Sequence, residues 1–269
     1  MKTFDLCLAD DFRVKLTAYI QEPSDDLSNV KRKPAVLIFP GGGYEFLSDR
    51  EAEPVALQYA AEGFQAFVLR YSIREHLAGF APLKDASNAI GMIREHADEW
   101  HVEPDHIAVC GFSAGGHLAC AVGLYGTNRP NAVILCYPAI DIGRKEDLME
   151  WERMHPDSAI NRLFVPEEKL DKLSLHKHVG PDAPPAFIWH TFEDSLVHIS
   201  HTVKLVYAYT EQNVPFEYHV FQTGSHGLSL AKPITADGNK GLADRRAAEW
   251  FDMSVEWLRI QFGQVPLDH

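Results

Sequence analysis

The sequence predicts a single domain of the α/β class, in which helices cover both faces of a mostly parallel sheet. The chain has 269 residues, a length that one such domain accommodates. Short apolar runs alternate along it with longer amphipathic segments. Most of these runs are apolar at successive positions, which is typical of parallel strands that are buried on both faces.

Six apolar runs are predicted to form strands of this sheet, with right-handed connections between them. The runs are residues 35–39, 66–70, 107–110, 132–137, 186–190 and 216–221. Residues 4–8 and 14–20 surround an acidic turn at Asp10 and Asp11, so we expect the sheet to begin with an antiparallel pair.

Helices are predicted between and after the strands. Their expected bounds are residues 51–61, 82–100, 113–124, 198–212 and 241–261. Apolar residues within 82–100 recur at spacings of three and four, which gives that helix one apolar face. Residues 142–180 do not fit the alternation. We expect them to form a small helical, lid-like insertion over the carboxyl edge of the sheet, within the single domain 1–269.

The composition restricts the classes of partner. With 25 basic and 38 acidic residues, the net charge is −13, which argues against binding to nucleic acid or to an anionic membrane. Acidic residues interrupt the first apolar segment, and no uncharged run is long enough to cross a bilayer, so we expect a cytoplasmic protein. The four cysteines are scattered and are expected to be reduced.

The sharpest local motif is G-x-S-x-G at residues 111–115, with Ser113 at its centre. It follows the apolar run 107–110 directly and leads into the helical segment 113–124. A serine in a tight turn between a strand and a helix is held with its hydroxyl exposed, and the helix N-terminus favours negative charge beside it. Ser113 is therefore the candidate nucleophile.

A histidine and a carboxylate follow the later strands in the order that such a serine requires. His226 lies in a loop of small residues just after the run 216–221, and Asp194 follows the run 186–190. His226 would accept the proton of Ser113, and Asp194 would orient the imidazole. Glu193 is the alternative acid, because the sequence does not show which of the two carboxylates faces the histidine.

The glycine run after the first buried strand predicts a second element of the same site. Gly42 and Gly43 would offer backbone N–H groups to a developing oxyanion, together with Ala114, the residue after the nucleophile. The nucleotide-binding patterns G-x-G-x-x-G and G-x-x-x-x-G-K-[ST] are absent from the sequence. His198 and His201 lack an acidic ligand at metal-site spacing. Neither a cofactor nor a metal is expected.

The motifs PGGGY, GFSAGGHLA, HTFEDSLV and GSHGL, with further segments between residues 34 and 231, resemble esterases of the acetyl-xylan-esterase and xylanase-associated type. The resemblance implies the α/β-hydrolase fold, a triad of Ser113, Asp194 and His226, and removal of small acyl groups such as acetyl from a carbohydrate. Two positions depart from the pattern. Pro40 stands where many esterases have histidine, and His198 stands where relatives commonly have proline.

Substrate contacts are the least defined part of the prediction. Tyr44, Arg50 and Trp151 are candidates, because the glycine loop and the insertion should border the nucleophile. The expected partner is a small acyl ester, and the oligomeric state is open, with a homo-oligomer among the alternatives. A general carboxylesterase or small peptidase of the same fold is the alternative enzyme. A ligand-binding protein that retained the fold is the alternative outside catalysis.

Overall fold

A computed structural model describes residues 1–9, 13–27, 30–142 and 171–263 of the chain. Among these residues, an eight-stranded sheet forms the centre of the fold. Its strands are β1 (Lys2–Cys7), β2 (Lys15–Ile20), β3 (Lys33–Phe39), β4 (Gln65–Arg70), β5 (Val102–Phe112), β6 (Ala132–Cys136), β7 (Ala186–Thr191) and β8 (Phe216–Phe221).

The strand order is β1-β2-β4-β3-β5-β6-β7-β8. Strand β2 is antiparallel to both of its neighbours, and the remaining neighbours pair in parallel. The mostly parallel sheet and its antiparallel start are therefore confirmed. The carboxyl ends of β3, β5, β7 and β8 share one edge of the sheet, so the loops after these strands meet there.

Five α-helices flank the sheet in the described part of the chain. They are α1 (Glu53–Ala61), α2 (Ala81–Glu95), α3 (Ala114–Tyr125), α4 (Ser200–Glu211) and α5 (Trp250–Gln261). Side chains of α2, α3 and α4 pack in one core, and side chains of α1 and α5 pack in the core on the opposite face. Strand β3 supplies both cores alternately, with Leu37 and Phe39 in the first and Val36 and Ile38 in the second. This double burial explains why the strand is apolar at every position from Pro34 to Phe39.

Two predicted helices are shorter than the sequence suggested. Helix α2 ends at Glu95, and α5 begins only at Trp250. Before α5, the side chain of Asp244 accepts the N–H groups of Arg246 and Ala247 at 2.8 Å each, which closes a local turn and prevents one long helix. Most of the predicted insertion 142–180 lies outside the described residues. Its described end includes a 3₁₀ turn at Leu175–His178.

None of the described helices combines the length and the apolar sequence that a bilayer crossing requires.

A buried histidine joins α3 to the neighbouring loops. His117 is inaccessible to solvent; its Nε2–H donates to the carbonyl of Leu173 at 3.2 Å, and its Nδ1 accepts the hydroxyl of Tyr44 at 2.9 Å. Burial lowers the pKa of His117 to about 4. The histidine is therefore neutral in the folded protein at pH 7, and both of its nitrogens are satisfied.

This histidine should make the stability depend on pH. Between the ordinary histidine pKa and about 4, the unfolded chain binds a proton that the folded protein does not. The free energy of unfolding therefore falls as the pH decreases, and His117 contributes about 2 kcal/mol of the fall between pH 7.5 and pH 5. Denaturant unfolding of His117→Gln, which retains a donor and an acceptor but cannot titrate, should show a smaller fall by that amount. An identical fall in both proteins would contradict the assignment.

Candidate active site

Ser113 occupies the turn between β5 and α3. Strand β5 ends at Phe112 and α3 begins at Ala114, so a single residue reverses the chain. Ser113 adopts φ +52° and ψ −115°, a conformation that residues with a side chain rarely adopt. Its N–H donates to the carbonyl of Cys136 on β6 at 3.0 Å, which fixes the turn against the sheet.

The two glycines of the motif are required by close backbone contacts. A Cβ atom at Gly111 would lie 2.1 Å from the carbonyl oxygen of Gly115, and one at Gly115 would lie 2.1 Å from that of Phe39. Both distances are far below van der Waals contact. Any side chain at either position would therefore separate the start of α3 from the sheet and displace Ser113.

The structure brings the three predicted triad residues into one hydrogen-bonded chain. The Nε2 atom of His226 lies 2.8 Å from the Oγ atom of Ser113, and its Nδ1 lies 2.6 Å from Oδ2 of Asp194. The three side chains come from the ends of β5, β8 and β7. In this arrangement an imidazole can accept the serine proton while the carboxylate fixes its tautomer. The ring of Tyr137 packs against His226 with centroids 5.1 Å apart.

Asp194 is buried and its carboxylate accepts hydrogen bonds at both oxygens. Oδ1 accepts the N–H groups of Leu196 at 3.0 Å and Val197 at 2.9 Å, and Oδ2 lies 3.2 Å from Nε2 of His190 as well as against His226. Burial alone would raise the pKa of Asp194. The donors and the nearby imidazoles outweigh this effect and hold the pKa well below its ordinary value. The carboxylate is therefore ionised at neutral pH.

Glu193, the alternative acid, faces away from the histidine. Its side chain is exposed and its Oε2 lies 3.4 Å from the N–H of Gly224. The geometry thus places Asp194, the acid preferred from the sequence, against His226, and not its neighbour Glu193.

The predicted oxyanion donors line the same pocket as Ser113. Gly42, Gly43 and Ala114 all border it. Ala114 is the first residue of α3, so its N–H has no acceptor within the helix. Gly42 has φ +128°, and a Cβ atom there would lie 2.1 Å from the carbonyl of Phe46, so the loop requires glycine at this position.

The pocket beside Ser113 has a volume of about 590 Å³. Apolar side chains form much of its wall, among them Phe46, Ala139, Ile142, Leu196 and Val197. Asp141 also borders it, but its carboxylate accepts Nζ of Lys204 at 2.5 Å and the hydroxyl of Ser174 at 2.6 Å. These contacts neutralise the Asp141 carboxylate and satisfy both of its oxygens. Glu45, Arg50 and Glu51 are further charged residues that border the pocket.

His201 is a second polar residue of the pocket wall. Its Nδ1 accepts the backbone N–H of Asp141 at 3.1 Å. Burial lowers the pKa of His201 to about 4, so the ring is neutral at pH 7 and Nε2 has its single hydrogen. Within the described ranges, no group of three or more histidine, cysteine, aspartate or glutamate side chains could hold a metal ion.

The predicted substrate contacts require correction. Tyr44 is fully buried and does not border the pocket, because its hydroxyl bonds to His117 and its ring packs against Tyr71. Arg50 does border the pocket, but its guanidinium donates to the carbonyls of Gly227 at 2.9 Å and Thr235 at 2.7 Å, and so supports the histidine loop. Trp151 lies outside the described residues.

Sequence reasoning does not identify His190 and His201 as residues of the site. The sequence places His190 only at the end of a strand and His201 only in a pair of histidines on a helix. His190 contacts Asp194 and His201 contacts Asp141, and no short sequence motif links these pairs. Only the placement of His190 at the carboxyl end of a strand hinted at proximity to the site.

The sheet order, the serine turn and the Ser-His-Asp chain define an α/β hydrolase. Residues 25–209 match the BD-FAE family, and the chain belongs to that family. An α/β-hydrolase enzyme from a Medee basin deep-sea metagenome library, MGS-M1, is similar in structure, with a TM-score of 0.84 and 41% identity over 98% of both chains.

Two curated relatives are similar to most of this chain. Endo-1,4-β-xylanase B of Butyrivibrio fibrisolvens is 32% identical over 86% of this chain and 37% of its own length. An acetylxylan esterase of Xylanibacter ruminicola is 27% identical over 85% of this chain and 46% of its own length. The chain therefore spans less than half of either relative. The predicted resemblance and fold are confirmed, and the predicted enzyme class, carboxylic-ester hydrolase, agrees with such relatives.

The choice between the two carboxylates can be tested on serine reactivity alone. We expect Asp194→Asn to slow the labelling of Ser113 by a fluorophosphonate by roughly 10⁴-fold, because the amide favours the wrong imidazole tautomer. Glu193→Gln, its matched neighbour, should label at nearly the wild-type rate. The labelling rate is measured by intact-protein mass spectrometry. A larger loss in Glu193→Gln would transfer the role to Glu193.

Proposed function

We propose that the protein is a serine esterase that removes short acyl groups, above all acetyl, from xylo-oligosaccharides or related carbohydrates. The observation that carries the proposal is the continuous hydrogen-bonded chain from Asp194 through His226 to Ser113 at the wall of an open pocket. No cofactor is needed for this chemistry, because each step uses groups of the chain and water.

The first half of the reaction forms an acyl-enzyme. The Oγ atom of Ser113 attacks the ester carbonyl carbon while Nε2 of His226 takes the hydroxyl proton. Asp194 accepts the Nδ1–H of the imidazolium and stabilises its charge. The carbonyl oxygen becomes an oxyanion, which collapses, breaks the bond to the alcohol and leaves the acyl group on Ser113. His226 returns the proton to the departing alcohol.

The second half releases the acid. A water molecule gives a proton to Nε2 of His226 and attacks the acyl carbon, and the carboxylic acid leaves as Ser113 regains its proton. In both halves the N–H of Ala114 and one from Gly42 or Gly43 would donate to the oxyanion. Loss of one such donor typically costs about 10²- to 10³-fold in kcat.

The pocket supports an uncharged substrate. The carboxylate of Asp141 is paired with Lys204, the guanidinium of Arg50 is bonded to backbone carbonyls, and His201 is neutral. The remaining wall is largely apolar. Glu45 and Glu51 also border the pocket, and a neutral ester adds no further charge beside these carboxylates. The acetylxylan esterase among the relatives supports acetylated xylan fragments as the particular substrate.

The substrate and the mechanism are tested together by acetate release from acetylated xylo-oligosaccharides, measured beside nitrophenyl esters of short and medium acyl length. We expect acetate release by the wild-type protein and a loss of at least about 10⁴-fold in kcat for Ser113→Ala, with an unchanged unfolding curve. Acetate release that persisted in Ser113→Ala would rule out the serine mechanism.

The other outcomes separate the alternatives. Turnover of nitrophenyl esters alone would indicate a general carboxylesterase, and cleavage of small peptide substrates alone would indicate a peptidase. Absence of turnover on all of these substrates, with an intact fold, would favour a ligand-binding protein. The cytoplasmic location and the oligomeric state stay predictions.

A further inference from the structure

The loop that would supply oxyanion donors is held in place by a buried glutamate. Oε2 of Glu51 accepts the N–H of Gly41 at 2.8 Å, immediately before Gly42 and Gly43. The carbonyl of Pro40, the residue that replaces the histidine of many esterases, accepts the hydroxyl of Tyr71 at 2.6 Å. These two contacts fix the first residues of the glycine loop, so the loop does not depend on a histidine at position 40.

The other oxygen of the same carboxylate is connected to the histidine side of the site. Oε1 of Glu51 accepts the hydroxyl of Tyr137 at 2.6 Å. The Tyr137 oxygen in turn accepts the N–H of Ser229 at 2.8 Å, and the tyrosine ring packs against His226. Burial and the charge of Glu51 raise the pKa of Tyr137 far above its ordinary value, so the hydroxyl retains the proton that it donates.

The residue next to Glu51 reinforces this connection. The carbonyl of Arg50 accepts the hydroxyl of Ser229 at 2.6 Å, and its guanidinium donates to Gly227. Arg50 thus contacts the loop that follows His226 directly, and Glu51 is connected to it through Tyr137. They lie in a 3₁₀ turn, Asp49–Glu51, just before α1.

Glu51 borders the pocket, and its carboxylate lies close to the nucleophile. A Cβ atom at Gly41 would be 2.7 Å from Oε2 of Glu51 and 3.1 Å from Cβ of Ser113. The Glu51 side chain is only 3% exposed, and both of its oxygens accept donors from the protein. It therefore acts through its neighbours rather than by bonding to a substrate.

We propose that Glu51 is a positioning residue of the reaction, whose carboxylate aligns the oxyanion loop through Gly41 and the His226 loop through Tyr137. This inference rests on the proposed function. One side chain then sets the distance between the donors that stabilise the oxyanion and the base that accepts the serine proton. Misalignment of either loop would weaken bonds that form in the transition state and would leave substrate binding nearly unchanged.

The test compares Glu51→Gln with Glu53→Gln, an exposed glutamate two residues away with the same change of charge. Glutamine keeps the shape of the side chain but has one acceptor oxygen in place of two. We expect kcat for acetyl-ester hydrolysis, per fluorophosphonate-titrated site, to fall by about 10²-fold in Glu51→Gln, with KM within about threefold. Glu53→Gln should keep wild-type values.

Tyr137→Phe provides a second variant that removes one hydroxyl and leaves the carboxylate in place. We expect kcat per titrated site to fall by about tenfold. In the double variant Glu51→Gln/Tyr137→Phe, the fold-decrease in kcat should be smaller than the product of the two single decreases, because both changes affect the same hydrogen bond between Glu51 and Tyr137. If Glu51→Gln does not fold, the test depends on Tyr137→Phe. A kcat per titrated site equal to that of the wild type in Tyr137→Phe would overturn the proposal.

Fluorophosphonate labelling separates this proposal from the proposed function. The reagent forms a tetrahedral adduct with its oxygen in the oxyanion site, so its rate responds to the same alignment without any ester substrate. A wild-type protein that labels rapidly but hydrolyses no ester would refute the proposed function and leave Glu51 testable through the labelling rate. Equal turnover and equal labelling rates per site in wild type and Glu51→Gln would refute the role of Glu51. The proposed esterase function would not be affected by that result.

Discussion

The close approach of three backbone segments around Ser113 is the constraint on which the site depends. The end of β3, the end of β5 and the start of α3 touch through backbone atoms, with contacts that only glycine permits at Gly111 and Gly115. This approach forces the strained turn at Ser113 and places Ala114, the first residue of α3, at the pocket. It also places the glycine loop after β3 beside the nucleophile, so nucleophile and oxyanion donors follow from one packing arrangement.

The parallel sheet supplies the rest of the site, because the loops after β7 and β8 reach the same edge. Asp194 and His226 lie 32 residues apart in the chain, yet their side chains meet at 2.6 Å. Two backbone N–H groups and His190 hold the carboxylate, so its orientation is determined by the β7 loop itself. A buried carboxylate with this many donors stays ionised and stabilises a positive imidazole next to it.

The sequence predicted those parts of the site that local chemistry determines. Ser113 and His226 follow from a strand-turn-helix motif and from a loop of small residues after a strand. Glu193 remained an alternative to Asp194 in the sequence because only the backbone of the β7 loop decides which carboxylate turns inward. The prediction that Tyr44 contacts substrate was wrong for the same reason. The sequence shows that Tyr44 follows the glycines, but it does not show the left-handed backbone, φ +60°, that directs the ring into the core toward His117.

Glu51 could not be found from the sequence, because its partners are distant in the chain and belong to no motif. Gly41 is 10 residues away and Tyr137 is 86 residues away. A buried carboxylate behind an oxyanion site would oppose catalysis if its charge were unbalanced. Here the N–H of Gly41 and the hydroxyl of Tyr137 donate hydrogen bonds to the Glu51 carboxylate and stabilise its charge. The Tyr137 oxygen in turn accepts the N–H of Ser229. The glutamate can therefore align both loops without adding an unpaired charge to the pocket. The glycine loop is anchored from this side by Glu51 and by the bond of Tyr71 to the carbonyl of Pro40, so it needs no polar side chain at position 40.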